Sequence, residues 1–455
     1  MADDEALARA RQAVEDAGAT RIRVEIPDTD GNLRGKVVSA AKALKGGATV
    51  SDVFYTLSLR DEVFEAPLTG QDTGFPDVKA VPDWSTLVPV PWERDTLAVL
   101  TDVHTKRDEP LTVDPRLALR RAEARAVEAG FEARIGVEFE LYLFQGGEAA
   151  DRAIRAGRPR DLVATGREWQ AYSLWRLEDL AGFVAEVDPM LHAYGAQVEA
   201  WSTELGYGMI EVATAPLPPL AAADAAARLK LGLKELAKRH GLIATFIAKW
   251  DTAQSGSSGH VHQSLLRGGE NAFWTGEQDE LTQTGRQYLA GLLQHAPELS
   301  AFSCPNVNSY RRPSPELWAP TNASWGWDNR QAAVRVITLT PSSTRLEYRR
   351  PGADFNPYLT IAACLDSGLH GIREGLEPPP VSAVKAFDDA SVPPFPSTLE
   401  AAADALDASS VAREWYGDEL VDHYVLSRRA EAGYVRDIAN AQVPEYEVAR
   451  YFEIA

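Results

Sequence analysis

The chain has 455 residues, 45% hydrophobic and 25% charged, values that suit a globular protein with room for one large or two unequal domains. Its 46 basic and 66 acidic residues leave a formal charge of −20, which argues against non-specific binding to nucleic acid or to an anionic membrane. Cys304 and Cys364 form no CxxC pair, so neither a disulfide framework nor a thiolate zinc site is suggested. With no leader pattern and no run of about 18 apolar residues, a soluble protein of the reducing cytoplasm is expected.

In chain order, a short helix is expected over Asp4 to Ala17, then a hairpin of Arg21 to Ile26 and Lys36 to Val38 around the turn-prone Pro27-Asp28-Thr29-Asp30-Gly31. Strand-like segments at Val50 to Leu59, Thr86 to Pro89 and Thr96 to Val103 make residues 1–105 a small β-rich unit. Lys106 to Pro110 reads as a linker. Asp114-Pro115 is a helix start, followed by a helix to Ala129 and a strand over Arg134 to Phe144. Residues 106–455 then alternate helices (Trp175 to Tyr194, Ala221 to His240, Thr282 to His295, Asn356 to Arg373) with strands at Ile243 to Lys249, Gly259 to Leu265, Ala332 to Thr338 and Arg345 to Arg349. The class is α+β. Terminal helices are expected from Thr398 to Phe452.

Four segments carry chemistry. In the strand Gly136 to Tyr142, the period-2 rule puts Glu138 and Glu140 on one face, where two carboxylates repel unless water or a cation neutralises them. Glu204 and Glu211 bracket Leu205 to Ile210, whose two glycines imply unusual backbone or close approach rather than a regular element. Gly256 to Ser264 is a glycine-serine loop running into His260, His262 and Ser264 on one strand face. Arg345-Leu346-Glu347-Tyr348-Arg349 places one carboxylate between two guanidiniums, for which a salt-bridged strand is the plain alternative. A carboxylate set with one or two imidazoles suits Mg²⁺ or Mn²⁺ better than thiol-preferring metals. Between Arg311 and Arg350, seven arginines face three acids (Glu316, Asp328, Glu347), a local anion site within an acidic chain. Residue chemistry alone thus points to metal-dependent phosphoryl transfer.

Taken in order, GVEFELY, the Glu204 to Glu211 pair, GSSGHVHQSL, NSYRR, DNRQAAVR and RLEYRRPGADFNPYL resemble the glutamine synthetase family over nearly the whole chain. The resemblance implies an N-terminal β-grasp domain (1–105) and a catalytic domain (106–455) whose curved antiparallel sheet forms a funnel. It implies one metal on Glu140, Glu204 and Glu211 and a second on Glu138, His260 and Glu347, with Mg²⁺ or Mn²⁺ as the ions. His262, Ser264, Arg335 and Arg345 match ATP-contacting positions, and Gly256, Arg312, Arg330 and Arg349 match positions holding glutamate and the transferring phosphoryl group. A homododecamer of two hexameric rings, with sites shared between subunits, is also implied.

Two departures bear on the nucleophile. Ammonium-using members carry a glutamate before the Ala-Pro of their flap, and Trp318 stands there instead, two residues from Glu316. Their Asp-Gly-Ser-Ser stretch is missing, and Asp52 to Leu59 takes its place. Tyr55, Leu57 and Trp318 are therefore candidate amine-site residues, with Asp52, Asp61 or Glu62 as receptors for a polyamine. The pattern looks like the γ-glutamyl-amine ligase branch. An ammonium-using glutamine synthetase and an inactive structural or regulatory homologue are the alternatives.

Overall fold

The computed structural model describes residues 2–314, 317–382 and 385–440. After a helix over Ala2–Asp16, strands β1 (Arg21–Pro27) and β2 (Leu33–Ser39) form the expected hairpin, with Arg21 opposite Ser39. Its turn closes on the Asp28 carboxylate, which accepts from the backbone N–H groups of Asp30 (3.0 Å) and Asn32 (2.9 Å). β3 (Ala48–Ser51), β4 (Asp77–Pro82), β5 (Val88–Pro89) and β6 (Thr96–His104) complete a six-stranded sheet in the order β2-β1-β6-β4-β3, with β5 on β6. Ile22, Val24, Leu97 and Val99 bury its inner face.

Two readings change here. The strand expected at Val50 to Leu59 stops at Ser51, whose hydroxyl caps a 3₁₀ turn over Asp52–Thr56 by accepting from Val53 N–H. β4 was not anticipated, because its Asp, Lys and terminal proline weaken the strand signal.

The larger sheet has nine strands: β7 (Glu132–Gln145), β8 (Val198–Thr203), β9 (Met209–Thr214), β10 (Leu242–Thr245), β11 (Gly259–Arg267), β12 (Glu270–Asn271), β13 (Trp325–Trp327), β14 (Val334–Ile337) and β15 (Arg345–Tyr348). Their order is β13-β14-β15-β11-β7-β9-β8, with β10 on β7 and β12 on β11. β7 is the axis of this curved sheet. Ile135, Val137, Phe139 and Leu141, each 0–1% exposed, point into one core with the helices Pro115–Glu128, Pro219–Arg239 and Pro357–Glu374. At roughly 1.5–3 kcal/mol per buried side chain, that face alone fixes which way the alternate residues point. The Asp114 cap behaves as the sequence suggests, with its Oδ1 accepting from Arg116 N–H, and Asn356 Oδ1 caps a second helix by accepting from Tyr358 and Leu359 N–H.

The expected helix Trp175 to Tyr194 is broken into Leu174–Leu177, a 3₁₀ turn and Ala181–Ala193. The chain ends in helices Leu399–Asp407, Ser410–Tyr416 and Asp418–Asn440, and the remainder of the expected terminal helix lies outside the described residues. Among the described residues no helix is long and apolar enough to cross a membrane.

The small sheet is fastened to the body by buried charge. Arg116, whose side chain is fully buried, reaches Asp83 (2.8 Å), Asp102 (2.5 Å) and Asp224 (2.8 Å), and Arg228 meets Glu25 at 3.1 Å. Arg428 of the last helix pairs with Asp30 at 2.6 Å, and His423 Nε2 lies 2.9 Å from the Tyr55 carbonyl.

Candidate active site

Strand register assembles the site. Glu138 stands opposite both His260 and Ala213, Glu140 opposite Glu211, and Glu347 opposite both His262 and Arg335. Glu138, Glu140 and Glu211 are half-buried and Glu347 is buried. His260 Nδ1 lies 2.5 Å from Glu138 and 3.4 Å from Glu347, and His262 Nε2 lies 3.3 Å from the other Glu138 oxygen.

Donor atoms converge in two groups. Glu138, His262 and Glu347 bring one atom each within 4.8 Å of one another, and so do Glu138, Glu211 and His260. The expected set Glu138, His260 and Glu347 converges on His260 Nδ1, and two further neighbours join it: Glu211 beside Glu138 and His260, and His262, assigned to ATP by resemblance, beside Glu138 and Glu347. Glu140 and Glu204 flank this centre. Glu140 Oε2 accepts from Ser258 N–H at 2.6 Å, and Glu204 accepts from Leu205 N–H at 3.1 Å.

Electrostatics say what is missing from a protein-only site. Burial and the charges of Glu138 and Glu140 push the Glu211 carboxyl up to about 10, and burial with the Glu140 charge pushes Glu204 up to about 7. Glu347 goes the other way despite its burial, held at about 2 chiefly by the Arg349 guanidinium. Carboxylates forced to share protons in this way fit hard divalent cations, which would neutralise them with oxygen and imidazole donors.

The arginines divide into two kinds. Arg349 and Arg335 (2.9 Å) are both committed to Glu347. Arg345 does not flank Glu347 as the strand pattern implied; it donates to His262 Nδ1 (3.0 Å) and the Ser343 carbonyl (2.8 Å). Arg312 is 2% exposed, donates to Ser258 Oγ and to the Arg349 and Arg350 carbonyls, and has no ion pair among the described residues. Burial lowers it to about 10. Arg330 is exposed and likewise has no ion pair. Arg312 and Arg330 thus join Arg345 and Arg350 as guanidiniums that have no carboxylate partner among the described residues and can meet an anion. Gly256 is obligatory beside Arg312, because a Cβ there would lie 2.6 Å from Arg312 Cγ and 2.9 Å from the Ala248 carbonyl oxygen.

One concavity adjoins the centre and a second is linked to it through the Asp328–Arg335–Glu347 ion pairs. The first, of about 580 Å³, is lined by Glu138, Glu199, His262, Ser264, Ser343 and Arg345. The other, an open groove of about 520 Å³, runs from Trp318 past Trp327 and Asp328 to Arg330. Trp318 is 45% exposed and held at φ 55°, an uncommon conformation for a bulky residue, between the paired Ser314 and Ala319.

A catalytic-domain model described as "Glutamine synthetase, catalytic domain" matches residues 112–451. The chain belongs to the glutamine synthetase family. It is 36% identical over 457 residues to a glutamate–isopropylamine ligase of Pseudomonas sp, covering 98% of each chain. It is 31% identical to a γ-glutamylethanolamide synthetase of Streptomyces coelicolor, covering 94% of this chain and 91% of the relative. A solved GmaS–ADP complex superposes with a TM-score of 0.83 at 27% identity, over 97% of this chain and 99% of the other. Matched relatives also include enzymes named glutamine synthetase.

Against this family frame, the amine-site expectations fare unevenly. Trp318 stands beside Arg330, but Tyr55 is 0% exposed within the core of the N-terminal sheet, and Leu57 packs half-buried against the same core. A ring with no accessible surface cannot line a substrate pocket. Asp52 is buried as well, Asp61 pairs with Arg34 at 2.9 Å, and Glu62 accepts from Ser58 Oγ. Glu316 lies outside the described residues. Sequence reading passed over Tyr172, which is 68% exposed at φ 55° and feels the charges of Glu204 and Glu211. The available signal was three aromatics, Trp169, Tyr172 and Trp175, within seven residues of a polar stretch.

Proposed function

We propose that the chain phosphorylates the γ-carboxylate of L-glutamate with ATP and joins it to an organic amine, releasing ADP and phosphate. The reading rests on one observation above the others: a carboxylate–imidazole cluster whose Glu138 and His262 also line a 580 Å³ cavity, with Arg312, which makes no ion pair among the described residues, joined to Glu140 through Ser258. Glu138, Glu140, Glu204, Glu211, His260 and Glu347 would hold Mg²⁺ or Mn²⁺, with His262 near enough to share in it. When bound, these ions supply Lewis-acid neutralisation of the phosphate oxygens.

His262, Ser264 and Arg345 bind ATP in the larger cavity, with Arg335 positioned by its ion pairs. Arg312, Arg330, Arg349 and the Gly256 backbone hold glutamate so that a γ-carboxylate oxygen attacks the γ-phosphorus. The bond from that phosphorus to ADP breaks, and a mixed anhydride forms. Activation is necessary because a carboxylate is a poor electrophile, whereas an acyl phosphate expels phosphate when a neutral amine attacks its carbonyl carbon. The amine nitrogen then gives up a proton. Buried guanidiniums preorganised around the developing charge supply the stabilisation, and no covalent enzyme nucleophile is needed.

Trp318 supports an organic amine over ammonium, since an indole ring offers apolar surface and accepts no proton. The relatives that act on isopropylamine and form γ-glutamylethanolamide favour the same reading. The same proposal includes a domain division near residue 105, cytoplasmic action and a two-ring homododecamer. Phosphate release with glutamate, ATP and Mg²⁺ tests it across isopropylamine, ethanolamine, aniline, spermidine and ammonium. At least one organic amine is expected to outperform ammonium. Ammonium ahead of every amine would leave an ordinary glutamine synthetase, and silence throughout would leave an inactive homologue.

A further inference from the structure

Away from the funnel, a cavity of about 270 Å³ opens where the N-terminal hairpin turn, the helix Pro219–Arg239 and the last helix meet. Its walls include Lys230, Lys234, Asp354 and Glu431, with Leu59 and Phe246 as apolar surface. Lys230 is only 7% exposed, and neither lysine makes a hydrogen bond or ion pair among the described residues. The Lys230 ammonium rests 5.5 Å from the Phe139 ring and 5.6 Å from the Phe246 ring, contacts that fall short of what burying a charge costs.

Asp354 is the complement. Its Oδ2 accepts from Asn306 Nδ2 (2.9 Å) and Ser309 Oγ (2.7 Å), while its Oδ1 is buried with no partner. Lys230 and Asp354 attract one another across the cavity yet form no ion pair. Asp30, also in the wall, is already neutralised by Arg428 at 2.6 Å. Two ammonium groups and two carboxylates in the wall thus have no ion pair among the described residues, the Asp354 charge being met only by the neutral donors on Oδ2. A simple anion would suit the lysines but face Asp354 and Glu431, and a simple cation would face the lysines. One molecule with both charges satisfies both sets.

We propose that this cavity binds a small zwitterion, its carboxylate towards Lys230 and Lys234, its ammonium towards Asp354, and a short aliphatic body against Leu59 and Phe246. The occupant would touch the N-terminal hairpin and the body at once. It would also abut Lys230, which packs on Phe139 between the metal-site residues Glu138 and Glu140. The site thus has a physical route to the catalytic strand, and its occupancy does not depend on which amine the enzyme uses.

The test is calorimetry on the full chain with L-valine, 3-methylbutanoate and isobutylamine, which share a carbon frame and differ in charge. Valine is expected to bind once per chain, with 3-methylbutanoate and isobutylamine at least about tenfold weaker. Lys230→Met should weaken valine by at least about tenfold, and Arg330→Ala, which alters the funnel, should leave its affinity unchanged. Should Lys230→Met fail to fold, Lys234→Met at the exposed rim decides, with a loss of about threefold expected. The proposal is overturned by an absence of valine binding, by equal binding of 3-methylbutanoate, by wild-type affinity in the folded lysine variant, or by valine binding that Arg330→Ala abolishes.

Discussion

Two regions of this molecule bury carboxylates, and they treat them in opposite ways. In the seam between the small sheet and the body, Asp83, Asp102 and Asp224 converge on Arg116, and Glu25 on Arg228, so negative charge is matched by a guanidinium. In the funnel, Glu211 and Glu204 face other carboxylates and are pushed upward, while the nearest arginines are spent on Glu347. A buried charge that is paired holds structure together; one left facing its own sign awaits a ligand. The contrast is what separates the active site from an ordinary acidic sheet.

The comparison breaks first, if at all, at the seam. Arg116→Ala leaves three aspartates without their shared partner and is expected to cost about 3–5 kcal/mol in urea unfolding. A loss below about 1 kcal/mol would mean the seam is not structural. In the funnel, Glu140→Gln should lower amine-dependent phosphate release at least about 100-fold while leaving the melting temperature of the metal-free protein within a few degrees. Unchanged turnover would remove Glu140 from the site.

His423 sharpens the seam by pH. Its ring is fully buried under Tyr55 and Phe64, and burial holds it at about 4, against about 6.5 when unfolded. The unfolded chain therefore binds the proton first, so the stability from neutral His423 is complete above pH 6.5 and is lost as pH falls towards 4. By pH 5 the loss is about 2 kcal/mol, and His423→Gln should remove that increment of the pH dependence in urea titrations at pH 7 and 5. The smallest expected effect is on selectivity. Trp318→Glu should shift the kcat/KM ratio of ammonium to isopropylamine by about tenfold towards ammonium, and an unaltered ratio would show that Trp318 only packs the flap.

Much of the site was legible before any coordinates. Alternation in β7 put Glu138 and Glu140 on the open face because Val137, Phe139 and Leu141 could only go inward. Asp114-Pro115 announced a helix start that the structure keeps. Tyr55 was misjudged because an aromatic residue looks the same whether it lines a pocket or fills a core. Burial of a particular ring depends on tertiary packing, here within the N-terminal core beside Phe54, while His423 of the last helix meets the Tyr55 carbonyl.

Local sequence, then, determined the main helices and the central strand, the facing of its carboxylates and the identity of the acids and guanidiniums, since each follows from periodicity or from side-chain chemistry. Tertiary structure alone decided the pairing. It gave Glu347 to Arg335 rather than Arg345, drew His262 and Glu211 around Glu138, and set Lys230 beside Asp354 without contact. Partners far apart in the chain meet only through sheet register and helix packing, and the free energy of a buried charge is set by those partners.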